Sequence, residues 1–124
     1  MYTFDKEERI CSKKLLDKLF SEGRSFMNYP FKVTFLIYPL LSNYAAQTVF
    51  VVSKRRFKKA VDRNRIKRLI RESFRLNKSS LYNILNDKNI KILISINYIA
   101  NEELNFHQLE AQMKSVILKF KTHI

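Results

Sequence analysis

One cysteine, one glycine, two prolines and no tryptophan occur in the 124 residues, and basic residues outnumber acidic ones 24 to 11. Each scarcity excludes something. A lone Cys11 forms no intrachain disulfide, so the fold draws nothing from an oxidising compartment and a cytoplasmic setting is expected. One glycine leaves no room for a Walker loop or a dinucleotide fingerprint, both of which need glycine where backbone approaches phosphate. With so few Gly and Pro there is no flexible linker at which to divide the chain, and residues 1–124 are expected to form a single domain. No window approaches the roughly eighteen apolar residues of a membrane span. The opening MYTFDKEERICSKK is charged throughout, unlike a secretory signal.

What is present suffices for a core. Hydrophobic residues make up 46% of the chain, with ten Phe and six Tyr, so folding should need no staple, metal or obligate protein partner. Ser12 reads as a helix N-cap, with Leu15, Leu16, Leu19 and Phe20 following at helical spacing. Gly23 falls where a left-handed C-terminal residue is wanted. After Pro30, FKVTFLIYPL begins by alternating Phe31, Val33 and Phe35 with Lys32 and Thr34, which predicts a central strand. TVFVVS, residues 48–53, reads as a second strand paired beside the first. IKILISIN, residues 90–97, reads as a third strand with one buried apolar face. From Glu102 to Lys121, apolar residues recur at helical spacing, with acidic residues in the first turn and lysines in the last. The expected class is α+β, in αβββαβα-like order. A small sheet of about three to four strands would be packed on one side by helices, including an N-terminal and a C-terminal one, with a βαβ crossover between residues 48 and 97.

That crossover contains KRRFKKAVDRNRIKRLIRESFR. At 100° per residue, Ile66, Leu69, Ile70, Ser73, Phe74 and Leu76 share an arc of about 160°, and the cations occupy the remainder. Asp62 reads as the cap that starts this helix, and Val61 as part of its apolar attachment. Half of the chain's 24 Lys and Arg lie between Lys54 and Lys78, opposed only by Asp62 and Glu72. Like charges at i, i+4, such as Arg63, Lys67, Arg71 and Arg75, work against the helix they sit on. A helix shaped only for stability would intersperse Glu, so an anionic partner is expected, and arginine's planar fork favours phosphate. A membrane surface fits less well: the apolar face is needed against the sheet, and no Trp rims it.

Catalytic residues are not gathered in the sequence. The acidic residues are scattered, with none in the predicted strands. His107 and His123 lie sixteen apart on one helix without a second ligand pair, and Cys11 reads as a small half-buried side chain. A binder of nucleic acid fits better than a metal nuclease. A DNA-reading helix would have only Asn64 and the arginines to reach base edges.

The segment carries a more specific pattern: Val52-Ser53-Lys54-Arg55, then Ala60-Val61, Arg63-Asn64-Arg65-Ile66-Lys67-Arg68 and Arg71-Glu72-Ser73-Phe74. This closely resembles the protein subunit of bacterial ribonuclease P, and the flanking elements agree in order and length. The resemblance implies an accessory protein to a catalytic RNA, assisting Mg²⁺-dependent removal of the 5′ leader from precursor tRNA, with the Mg²⁺ held mainly by the RNA. It implies a left-handed crossover, an exception to the usual hand. Arg63, Asn64, Arg65, Lys67, Arg68 and Arg71 would contact the RNA, beside Lys54 and Arg55. Arg56, Lys58, Lys59 and Arg75 extend the same cationic surface. The leader would lie in a cleft lined by Leu16, Phe20, Phe31 and Thr34. Two departures accompany the match. Leu16 stands where many members place Phe, leaving Phe20 to stack on a leader base, and RRFKK replaces the usual glycine-containing turn.

Overall fold

The computed structural model describes residues 4–124. A 3₁₀ turn at Lys6–Glu8 precedes α1 (Lys13–Glu22), β1 (Arg24–Asn28), β2 (Phe31–Ile37), β3 (Ala46–Val52), α2 (Ala60–Asp87), β4 (Ile92–Tyr98) and α3 (Phe106–His123). The α+β class and the αβββαβα order stand as expected.

The sheet runs β1-β2-β4-β3, antiparallel except for the parallel β3–β4 pair that α2 connects. β2 is central, as its pattern implied. β2 and β3 are not neighbours, however; β4 lies between them. The reason is burial: Leu93 and Ser95 on one face and Ile92, Ile94 and Ile96 on the other are all fully inaccessible, and only an interior strand covered on both faces satisfies that pattern. β3 takes the edge, where the backbone of Arg9 and Ile10 bridges to Thr48, with the Ile10 N–H donating to the Thr48 carbonyl at 3.2 Å. β1, the strand of that order to which the sequence reading assigned no residues, forms a hairpin with β2 through a cis Tyr29–Pro30 peptide.

Helices cover both faces rather than one. On one side, Ile66, Ile70, Phe74, Leu81 and Leu85 of α2 and Leu109, Met113, Val116, Ile117 and Phe120 of α3 pack on Phe31, Val33, Phe35, Phe50, Ile94 and Ile96. On the other, Leu15, Leu16 and Leu19 of α1 meet Leu36, Val49 and Leu93 in a smaller cluster. A pair of charges is buried at the margin of the larger core, where Lys78 bonds Glu8 and the Tyr82 hydroxyl donates to the same carboxylate oxygen at 2.6 Å. Lys78 therefore does not belong to the outward cationic face. Burial, then the bond to Glu8, pushes the Tyr82 phenol well above its ordinary range.

Several local expectations change. Ser12 caps α1 as predicted, its Oγ accepting from the Leu15 N–H at 3.3 Å. Gly23 is extended, with φ −72°, not left-handed. Glycine is required there for space: a Cβ would sit 2.4 Å from the Leu19 carbonyl oxygen, 3.0 Å from that of Phe35 and 3.0 Å from Thr34 Cγ2. α2 begins at Ala60 with Lys59 as its N-cap, so Asp62 lies within the first turn and caps nothing. Val61 is 63% exposed and does not attach the helix to the sheet. α3 starts at Phe106, after Glu102 and Glu103, with Asn105 and Gln108 forming a reciprocal capping box. Cys11 is exposed rather than half-buried.

Candidate nucleic-acid interface

The chain leaves β3 at Val52 and turns at once. Ser53 organises that turn: its Oγ accepts from the Arg56 N–H at 3.2 Å and its carbonyl from the Phe57 N–H at 3.1 Å. The half-buried Phe57 ring lies 6.0 Å from the Tyr98 ring, anchoring the turn from below and leaving Lys54, Arg55, Arg56, Lys58 and Lys59 exposed. Arg63 reaches back from the first turn of α2, its Nη1 donating to the carbonyls of Phe57 at 2.8 Å and Lys58 at 2.9 Å. Its guanidinium ties turn to helix.

Along α2, Asn64, Arg68, Arg71 and Arg75 fall within an arc of about 60° at 100° per residue. Asn64, Arg68 and Arg71 are exposed, while Lys67 is half-buried on the flank. Arg75 is paired with Glu72, its Nε donating at 3.0 Å. That bond holds the Glu72 carboxyl below its usual range and raises the Arg75 guanidinium. Arg65 is more committed still. Its Nε and Nη2 form a two-pronged contact with Glu103, at 2.8 and 2.7 Å, and Nη2 also donates to Asp62 at 2.7 Å. Glu103 is thereby held below its ordinary range. Among the described residues, the side chains of Lys54, Arg55, Lys58, Lys59, Lys67, Arg68 and Arg71 carry no internal hydrogen bond or ion pair. The predicted cationic surface is thus present, but its arginines divide into those spent on the fold and those open to a ligand.

The cleft residues divide by strand parity. Phe31 is wholly buried in the core beneath α2 and α3, so it does not line the cleft; separated from Thr34 by three positions, it must point to the opposite face. Thr34 does face α1. It is 6% exposed and its Oγ1 lies 2.9 Å from Ser25 Oγ, which makes it floor beneath the helix rather than an open contact. The registers give three rows on this face: Leu36, Leu93 and Gln47; Ser25, Thr34, Ser95 and Val49; and Met27, Lys32, Asn97 and Val51. α1 packs on β2 and β4 over the first two rows. The third is open, with Met27 at 55% and Lys32 exposed, and it spans about 14 Å across four strands.

This open row ends beside Val52, where the basic turn begins. Lys18 on one flank of α1 lies over the Tyr38 ring, at the far end of the sheet. Leu16 and Phe20 are on the other flank and so face the open row, with Phe20 54% exposed. An aromatic ring, a floor of mixed polar and apolar side chains and a cationic rim are therefore contiguous, an arrangement suited to a single strand with stacked bases and a phosphate backbone. Met27, Lys32, Val51 and Asn97 were not anticipated, although alternation from Thr34 would have found Lys32. Among the described residues, no group of three or more His, Cys, Asp or Glu side chains is positioned to hold a metal ion, and no helix is long and apolar enough to cross a membrane.

Known proteins with the same sequence pattern and fold share one description. The Ribonuclease P family model matches residues 4–121. A ribonuclease P protein component of Porphyromonas gingivalis is 32% identical over 126 residues, covering 99% of this chain and 90% of that one. Its counterpart in Pseudoalteromonas translucida is 35% identical, covering 83% of this chain and 70% of that one. Among solved structures, the RNase P protein of Thermotoga maritima superposes with a TM-score of 0.72 at 23% identity, over 90% of this chain and 96% of that one. A Staphylococcus aureus RNase P protein mutant gives 0.73 at 24%, over 94% and 90%.

Proposed function

Since the chain belongs to the ribonuclease P protein family, we propose that its unpaired cations bind the phosphates of the ribonuclease P RNA while the open row of the sheet receives the 5′ leader of precursor tRNA. The chain is the accessory protein subunit of that endoribonuclease, which processes tRNA 5′ ends, and its partner is the RNA component. The observation that carries the finer reading is the continuity between the two surfaces. Lys54 and Arg55 follow directly on the strand whose Val51 closes the open row, so one polyanion crossing the sheet meets the charged turn without a gap.

On this reading the protein acts by position and charge. Exposed cations replace condensed counterions on RNA and lower the repulsion between catalytic RNA and substrate. The RNA holds the Mg²⁺ and supplies the chemistry; Arg68, Arg71 and Lys67 grip its backbone, and Phe20 offers its ring to a leader base. A bacterial cytoplasm is the setting in which such a subunit meets its RNA.

Precursor tRNA is incubated with Mg²⁺ and protein, with and without the cognate RNA, over a salt series. Cleavage accelerated only when both components are present supports the reading; cleavage by protein alone refutes it. Replacing Arg68 or Arg71 by Ala should each flatten the salt dependence of RNA binding by about one counterion. An unchanged slope for both would move the RNA contact elsewhere.

A further inference from the structure

Arg65 lies within the segment expected to touch RNA, yet it is the arginine most completely occupied by carboxylates. Of its five N–H groups, Nε and both on Nη2 are taken by Glu103 and Asp62. Two acids and one base leave this spot with a net negative charge inside a cationic surface. The two N–H groups of Nη1 stay open to a single contact, but a backbone phosphate could take the two-pronged Nε–Nη2 contact only by displacing a carboxylate already bound in that geometry.

Glu103 is not there by chance motion of a loose loop. The residues on either side of it are fixed: the Tyr98 hydroxyl donates to the Glu102 carbonyl at 2.6 Å and accepts from the Leu104 N–H at 3.3 Å. Two residues earlier, Asn101 Oδ1 accepts from Arg56 Nη1 at 2.7 Å, so the β4–α3 connection is pinned to the basic turn as well. Asn105 then caps α3. The carboxylate is presented to Arg65 by a built support.

We propose that Glu103 is a specificity-determining residue for RNA binding: it occupies Arg65 as a phosphate mimic, so that only an RNA able to place a phosphate in competition with it gains that arginine. The inference rests on the RNA-binding reading above. Non-cognate RNA, attracted by charge alone, meets a screened arginine and a local negative charge. An RNA whose shape seats a phosphate at the start of α2 displaces Glu103 and gains a two-pronged contact. Discrimination is thereby enforced by a repulsive element as well as by attraction.

The neighbouring Glu102 provides the control, because its carboxylate makes no hydrogen bond or ion pair among the described residues while its removal changes net charge equally. The test measures binding of the full chain to poly(U) and to ribonuclease P RNA, across a salt series, for wild type, E103Q, E102Q, R65A and E103Q combined with R65A. With Glu103 neutralised, Arg65 keeps only Asp62 as a charged partner, and E103Q should bind poly(U) about two- to fivefold more tightly at low salt, the range of an exposed ion pair. The salt slope should steepen by about one counterion. Affinity for ribonuclease P RNA should rise less, so the ratio between the two RNAs falls. E102Q should show a smaller gain, and R65A should abolish the effect of E103Q. Equal gains in E102Q and E103Q, a gain that survives R65A, or no gain in E103Q would each overturn the proposal. Absence of salt-dependent RNA binding by the wild type would instead refute the RNA-binding reading on which it rests.

Discussion

Replacing Lys78 by Met tests whether the buried charge pair holds the N-terminal segment in place. The Lys78 and Glu8 side chains are 5% and 0% exposed. Glu8 accepts from Lys78 and Tyr82 on one oxygen and from the Asp5 N–H at 3.0 Å on the other. Methionine retains most of the volume but removes the counter-charge, stranding a carboxylate away from water. Breaking a buried pair from one side costs about 3–5 kcal/mol, a large share of the roughly 5–15 kcal/mol that stabilises an ordinary domain. Urea unfolding followed by circular dichroism, with m near 1–3 kcal/mol/M, should place the midpoint about 2 M lower. Adding Glu8→Gln should restore more than half of the loss, since no charge then remains unpaired. A loss below about 1 kcal/mol at unchanged m, or a double mutant as unstable as the sum of the singles, would refute the reasoning. The consequence reaches function, because the residues after Glu8 carry the backbone along β3 and into α1, the wall of the cleft.

The other predictions concern smaller features. Gly23→Ala forces a Cβ against backbone oxygens of Leu19 and Phe35 and should destabilise by about 1–3 kcal/mol in the same unfolding assay, as overpacking does; a neutral result would mean that α1 can shift freely. Phe20→Ala should leave stability within about 0.5 kcal/mol and weaken binding of a single-stranded leader by about 1–3 kcal/mol. Phe31→Ala should instead cost about 3–5 kcal/mol of stability, and a reversed pattern would reassign the cleft. Tyr44 donates to Asp5, and that bond raises its phenol to about 12. A raised folded value means that its contribution to stability is complete below the ordinary value of about 10 and is lost as pH rises through the folded one. Ultraviolet difference titration should show Asp5→Asn returning it toward about 10; an unshifted titration would remove Asp5 as the cause.

Legibility followed the range of the interactions involved. β2, β3 and β4 declared themselves through alternating or β-branched runs, and the cationic face of α2 through helical spacing. β1 did not, because RSFMN is short and its buried Phe26 and Asn28 are recognisable only once β2 lies beside them. Strand order was misread since β3 and β2 are close in sequence, whereas the choice of neighbour was decided by β4 needing cover on both faces. Phe31 was assigned to the cleft by its chemistry, although the odd spacing to Thr34 already set the two on opposite faces. The pairing of Arg65 with Glu103 joins residues 38 apart, a contact that composition gives no means of anticipating. In the sequence Arg63, Arg65 and Arg68 look alike; in the fold one braces a turn, one is masked by acids and one is open.

The cleft itself depends on a backbone contact in which no cationic side chain takes part. α1 could lie at several heights across the sheet, since its small apolar stripe would find aliphatic side chains at more than one. At its end Gly23 holds it against Phe35 and Thr34, and at its start its height is set by the backbone contact of Arg9 and Ile10 with Thr48 on the edge of β3, two residues before α1 is capped by Ser12. Thr48 is level with Ile94 and, through it, with Phe35, so the helix starts opposite the middle of the sheet and covers the Thr34 and Leu36 rows. A contact two residues later along β3, at Phe50, would carry α1 about 7 Å toward the basic turn and close the row of Met27, Lys32, Asn97 and Val51. The open floor and the charged turn remain adjacent because the N-terminal segment stops one pleat short, and the Lys78–Glu8 pair immediately before it helps to hold it there.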